Sequence, residues 1–297
     1  MNGLHRLLQV TLNECQMALR SRRALVVMIL SLAAALLSMN VTITSLSKME
    51  TQLAEVLQLP VDARSGVVST TLWRSKSFQK IVRHGVRDSL IYDDICGRHP
   101  VELLHAFFSF LFMPILTILA AGNRIADDLH TGAVRYMLTR VTRFEWSLGK
   151  YLGFALLLLP ALLLGGCAAW GLAAFRLGGH DVGNLLPAML GWSVKAWILT
   201  LSYLGLALGA SHLTVSGAKA TTFGIVALVT VHAGPALITR LTPEQFHLVN
   251  NLFPTQITDA LWRTTWEPVT WAVLWSFALG LLYLTVGYAF FARKDAR

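Results

Sequence analysis

Residues 24–46 read ALVVMILSLAAALLSMNVTITSL, an uncharged apolar run preceded by Arg20, Arg22 and Arg23. Wound as an α-helix at 1.5 Å per residue, such a run crosses the roughly 30 Å of a bilayer's hydrocarbon layer. It is too long for the core of a cleaved signal peptide and stands behind a further leader, so the sequence predicts a permanent membrane span. Five more stretches repeat the pattern at residues 103–122, 151–175, 185–210, 220–239 and 269–292. Only Lys195 interrupts the fourth, and Gly224, His232, Gly234 and Pro235 weaken the fifth. Glycine and proline are tolerated in spans whose neighbours satisfy the freed backbone groups.

Composition agrees with this reading. The 297 residues are 55% hydrophobic and only 14% charged, where a soluble domain carries roughly 25% charged residues. The fold class expected is therefore an all-α integral membrane protein with six transmembrane helices. The net charge of +9 then becomes a signal of orientation instead of a nucleic-acid signature, because short cytoplasmic segments are enriched in Lys and Arg. With both termini inside, the inner segments hold Arg6, Arg20, Arg22, Arg23, Arg124, Arg135, Arg140, Arg143, Lys150, Lys219, Arg293, Lys294 and Arg297. The two short outer loops hold only Arg176, Arg240 and Arg263.

Around the spans, residues 1–23 place Leu4, Leu7, Leu8, Leu12, Cys15 and Leu19 at helical spacing, which predicts an amphipathic interfacial helix. Residues 47–102 are expected to form a small extracytoplasmic helical insert, with short helices in SKMETQLAEVLQL and TLWRSKSFQKIVRHGV. The outer loop 240–268, punctuated by Pro243, Pro254 and Pro268, suits short helices dipping toward the outer leaflet, with Trp262 and Trp266 at the interface. The six spans fill a transmembrane domain at 24–292, and 293–297 is a cytoplasmic tail. Cys15, Cys96 and Cys167 fall in three different places, so neither a disulfide framework nor metal-ligand spacing is expected.

The segment richest in functional information is 123–150, NRIADDLHTGAVRYMLTRVTRFEWSLGK, between spans two and three. Asp128 is followed by Thr131 and Gly132, by the apolar Met137 and Leu138, by Thr139-Arg140-Val141-Thr142-Arg143, and then by Gly149-Lys150 at the mouth of span three. This order resembles the cytoplasmic motif of ABC type-2 transporter permeases: an acidic residue, a Gly-Thr-like turn, a leucine-rich short helix, a Pro-x-Ser-Arg-like step and a Gly-Lys. Val141 stands where that family usually has proline, and Ala133 where threonine is usual. The resemblance extends through the leader, the six spans and the ending Phe291-Ala292-Arg293-Lys294-Asp295. It implies that residues 131–141 form a coupling helix, braced by the leader, that seats in a groove on a separate ATP-hydrolysing subunit. Asp128, Thr131, Gly132, Arg135, Met137, Leu138, Arg140 and Arg143 are then the coupling residues. Ala133, Val134, Met137 and Leu138 supply an apolar knob, and the arginines supply charge-assisted contacts.

The resemblance further implies two ATPase copies, a second permease copy or a related partner, spans two and five as pathway walls, and a bacterial or archaeal plasma membrane. Export is expected over import. Surrounding lipids and an extracytoplasmic protein complete the expected partners, and no nucleic acid is among them. ATP and magnesium are expected on the partner alone, since no G-x-x-x-x-G-K-[ST] phosphate loop occurs: Phe144 stands where the first glycine belongs and Tyr151 follows Lys150. Lys150 therefore reads as an anchor at the membrane boundary.

Two other function classes have weaker signals. An intramembrane enzyme is approached only by Thr214-Val215-Ser216-Gly217, with no H-E-x-x-H. A membrane scaffold working with an ATPase shares the coupling motif. Within the spans, Lys195 carries the cost of a buried ammonium. It reads either as a pathway cation for anionic or carbonyl-rich cargo or as a structural pairing. His232 is the second candidate pathway residue. Gly205 with Gly209, and Gly149 with Gly153, form G-x-x-x-G spacings that allow close helix approach, within one subunit or between two. The tryptophans mostly mark span ends and read as interfacial anchors.

Overall fold

A computed structural model of the chain describes residues 3–56, 97–177, 185–241, 249–263 and 265–294. These residues form helices α1 (Gly3–Arg20), α2 (Arg23–Val56), α3 (Pro100–Ala121), α4 (Arg124–Thr131), α5 (Ala133–Leu138), α6 (Arg143–Leu177), α7 (Leu186–Ser211), α8 (Gly217–Leu241), α9 (Thr255–Trp262) and α10 (Trp266–Lys294). No strand occurs among the described residues. Six helices, α2, α3, α6, α7, α8 and α10, are long and apolar enough to cross a membrane. The protein is an all-α membrane protein.

Helix α7 is the axis of the bundle. Every residue from 198 to 212 is buried, and α10, α3, α6 and α8 pack around it. Its near-uniform hydrophobicity, without an amphipathic stripe, is what a helix enclosed on all sides requires. Contact between α7 and α10 is closest, because Gly205 faces the Gly280 backbone and Gly209 faces the carbonyl of Tyr283. On α10, Gly280 faces the Leu201 carbonyl and Gly287 faces Gly209. The G-x-x-x-G pair at 205 and 209 thus serves packing within the subunit, as does the second pair. Gly149 lies against Val10 and Gly153 against Glu14, so that α1 rests along the first turns of α6.

Several sequence expectations shift at their boundaries. The helix that carries span three starts at Arg143, ahead of the uncharged run that begins at Tyr151, because Thr142 and Glu145 form a capping box. The Thr142 N–H donates to the Glu145 carboxylate at 2.8 Å, and the Glu145 N–H donates to the Thr142 hydroxyl at 3.2 Å. The connection 123–150 is accordingly two short helices and the opening turns of α6. Span five is an unbroken helix despite its glycines and proline. SKMETQLA continues α2 without a break, while TLWRSKSFQKIVRHGV and Cys96 lie outside the described residues. The short helix expected in the outer loop is α9, with Ile257 and Leu261 fully buried.

The tryptophans need correcting. Trp146 and Trp192 are core residues, and Trp262 packs on Phe110 and Trp192 with ring centroids 5.3 and 5.2 Å apart. The side chain of Trp266 lies outside the described residues. Each indole has one polar atom and a large apolar body, so inside a bundle it fills space between helices as readily as it anchors at an interface.

Candidate functional site

At the end of the bundle that carries α1, α4 and α5, Lys150 is a hub. Its side chain is 4% exposed, and its ammonium donates to Glu14 on α1 at 2.7 Å and to Asp128 on α4 at 2.6 Å. It also sits 5.4 Å from the centroid of the Trp146 ring. One lysine therefore binds the leader, the connection and span three together, which goes beyond the boundary anchor expected from sequence. Arg6 adds a second tie from α1 to α6, 3.5 Å from Glu145.

α1 turns Val10, Thr11 and Ala18 inward, and leaves Leu4, Leu8, Leu12 and Leu19 exposed. The exposed leucines share one helical face, and the packed residues share another. The leucine periodicity legible in the sequence therefore marks the face that the protein does not cover.

α4 follows α3 after a break at Gly122 and Asn123. The free N–H groups of its first turn, on Ile125 and Ala126, donate to the hydroxyl of Ser211 at 3.1 and 3.0 Å. A residue at the end of α7 thus caps α4. Thr131 closes α4 by donating its hydroxyl to the Asp127 carbonyl at 3.0 Å. Gly132 follows at φ 71°, a left-handed conformation that glycine adopts without a Cβ penalty. That turn aims α5 back across the end of the bundle.

The apolar knob expected on α5 is divided. Val134 is buried in the core, Met137 and Leu138 are half-buried against it, and Ala133 is exposed. The outward face consists of Arg135, Tyr136, Thr139 and Arg140, with Tyr136 82% exposed. Arg143 is turned aside, its guanidinium 5.6 Å from the Phe291 ring centroid on α10.

Behind this face lies His212, between spans four and five. Its Nδ1 faces the Leu208 carbonyl at 2.9 Å and its Nε2 faces the Ser147 hydroxyl at 3.2 Å. In the neutral tautomer with the proton on Nδ1, both contacts are hydrogen bonds. Burial pushes its pKa down from 6.5 to about 4, and the Leu208 carbonyl partly opposes the shift. A lowered folded-state value means that the unfolded chain takes up the proton first. The associated stability is complete above pH 6.5 and is lost as pH falls toward 4, up to about 3 kcal/mol. Melting temperatures of the purified protein should fall across that window, and His212→Gln should flatten the slope. An unchanged slope in the variant would assign the acid sensitivity to another group.

At the opposite end, a second charged cluster surrounds Trp192. Its indole N–H donates to Glu102 at 2.7 Å, and Glu102 also pairs with Arg98. The Arg98 guanidinium and the Lys195 ammonium lie 5.3 and 4.2 Å from the Trp192 ring centroid. Lys195 also donates to the Arg263 carbonyl at 2.9 Å, at the C-terminus of α9. These contacts compensate the ammonium and pin α9 against α7. His232 stacks on Tyr203 with centroids 5.6 Å apart, faces its hydroxyl at 3.3 Å and faces the Leu228 carbonyl at 3.0 Å. Lys195, on α7, and His232, on α8 against Tyr203 of α7, thus sit in separate clusters.

Sequence reasoning missed Glu14, Glu102, Trp192, Ser211 and His212. Local spacing carries the Thr142–Glu145, Arg98–Glu102 and Trp192–Lys195 contacts, whereas Glu14 with Lys150, Glu102 with Trp192, Ser211 with α4 and His212 with Ser147 join helices far apart in the chain. No group of His, Cys, Asp or Glu among the described residues has the arrangement of a metal site. No protein-family model and no curated protein matches this chain.

Proposed function

We propose that this chain is the membrane subunit of an ATP-driven transporter of the ABC type-2 kind, working with a separate ATPase. The observation that carries the reading is the end of the bundle formed by α1, α4 and α5. There a left-handed glycine turn sets a short helix on α4, which Asp128 and Lys150 tie to the leader and span three, and the short helix presents Arg135, Tyr136 and Arg140 outward. A rigid, cationic and aromatic projection suits docking against a partner, because arginine and tyrosine supply contact area and directed hydrogen bonds. A push on α5 passes across the Gly132 turn into α4, and from its Asp128 through Lys150 into α1 and α6, the mechanical link that a transporter needs.

In this reading both termini and α5 face the cytoplasm, and the exposed leucines of α1 lie in the inner headgroup layer. The second permease copy packs against the face shared by α3 and α8, of which α8 is the least buried of the six spans. Export is the direction favoured. Met137 and Leu138 are packed against the core, so substitutions there also disturb the fold, and the outward Arg135 and Tyr136 are the residues that test docking.

The complex purified from its native membrane should hydrolyse magnesium-ATP, and an Arg135→Glu, Tyr136→Asp double variant should lose at least about 90% of that activity. Such a loss corresponds to about 1.4 kcal/mol of docking energy, well within what two central interface residues supply. Equal hydrolysis by both preparations would remove α5 from the interface.

A further inference from the structure

Midway along the bundle, α2, α3, α6 and α7 enclose a crevice lined by Ser31, Ser38, His105, Gly165, Gly166 and Ser193. Its cavity volume is about 20 Å³, room for roughly one oxygen-sized group. His105 is 3% exposed, and neither of its ring nitrogens has a hydrogen-bond partner. An unpartnered imidazole costs stability in an apolar layer, so its place on this wall needs a reason. The glycines keep the space open. A Cβ on Gly166 would run into the Ser193 hydroxyl, and one on Gly165 would come within 3.3 Å of both Ala35 and the Ser31 hydroxyl.

The donor and acceptor inventory of the wall selects a ligand chemistry. Ser31 donates its hydroxyl proton to the Ala161 carbonyl at 2.9 Å, Ser38 to Ala35 at 2.9 Å and Ser193 to Met189 at 3.0 Å. Their protons are spent and their lone pairs remain, the Ser109 hydroxyl on α3 adds a rotatable donor and acceptor, and a neutral imidazole offers one N–H and one bare nitrogen. A matching ligand must both accept and donate. A carboxylate has no proton to give, and an ammonium leaves the imidazole N–H unserved, whereas a hydroxyl meets both demands in an oxygen-sized space.

The rim identifies the rest of the ligand. The α6 and α7 lining is buried, whereas Ala34, Ala35, Phe108 and Phe112 of α2 and α3 keep some exposure. Phe108 and Phe112 stack with centroids 5.9 Å apart. The crevice thus opens through an apolar rim between two membrane helices, where hydrocarbon and not water is the surrounding medium. We infer that it binds the hydroxyl group of an apolar-tailed alcohol, which reaches it laterally from the bilayer between α2 and α3. The site lies apart from α5 and does not depend on an ATPase partner.

Photolabelling of the full chain in phosphatidylcholine vesicles with a diazirine-bearing hexadecanol tests this directly. Label should map to α2 and α3 around Phe108 and Phe112, and unlabelled hexadecanol should displace it while hexadecane should not. His105→Phe should cut labelling about tenfold, the factor that about 1.4 kcal/mol of lost hydrogen bonding implies. Gly165→Val, which fills the crevice from the opposite wall, should do the same, and His105→Gln, which retains a donor and an acceptor, should keep most of it. Displacement by hexadecane equal to that by hexadecanol, or full labelling of His105→Phe, would overturn the proposal. So would a lone bound water in the crevice with no labelling at all.

Discussion

Lys150→Met is expected to cost about 3 kcal/mol of stability and to free α1 from the bundle. The ammonium it removes is almost wholly enclosed and answers two carboxylates, Glu14 at 2.7 Å and Asp128 at 2.6 Å. Removing one partner of a buried ion pair strands the other, which typically costs 3–5 kcal/mol. Here Asp128 keeps 26% of its side chain exposed and Glu14 keeps 12%, so solvent screens part of the penalty and sets the loss at the low end. Thermal unfolding in detergent should show the drop, and trypsin should cut after Arg6 and Arg20 faster than in the wild type. Because the penalty belongs to the stranded charges, adding Glu14→Gln and Asp128→Asn should restore most of the stability. Wild-type melting and protease resistance in the single variant would show that the hub is ornamental.

Gly205→Val is expected to force α7 and α10 apart, with a loss of about 3 kcal/mol. A Cβ at this position would collide with the Gly280 carbonyl, a backbone atom that cannot swing aside. Overpacking a tight contact costs about 1–3 kcal/mol and occasionally more, and this one lies on the most enclosed helix of the fold. In a membrane, helix pairs are held by close packing and not by expulsion of water, so a lost contact is not recovered elsewhere. Gly191→Ala is the control on the same helix, since nothing lies within 4 Å of the added methyl, and should be close to neutral. Size-exclusion profiles after heating should separate the two variants. A Gly205→Val protein as stable as Gly191→Ala would contradict the close approach of α7 and α10.

The fold was largely legible because membrane crossing is a question of length and apolarity, and both can be counted in the sequence. All six spans stand where the hydropathy of residues 24–292 places them. What pattern could not reveal was pairing across the bundle. Lys150 reads as an anchor when seen alone, yet its partners lie on α1 and α4. Gly149 and Gly153 announce a close approach without naming Val10 and Glu14 as the groups received. The side of α5 that faces outward was equally hidden. A six-residue helix presents apolar groups on more than one side, so Val134 was free to turn into the core and leave Tyr136 outside. Glu102 reads as the end of a polar segment until the Trp192 indole, 90 residues later, is seen to donate to it.

On the function proposed above, the face formed by α5 receives an ATP-hydrolysing partner. A photoreactive phenylalanine at position 136, introduced into the full chain in its native membrane, tests it most directly. A single dominant cross-link is expected to a polypeptide carrying a G-x-x-x-x-G-K-[ST] phosphate loop, lost when Arg135→Glu is added. A residue 136 that cross-links only to lipid, or to a protein without that loop, would contradict it.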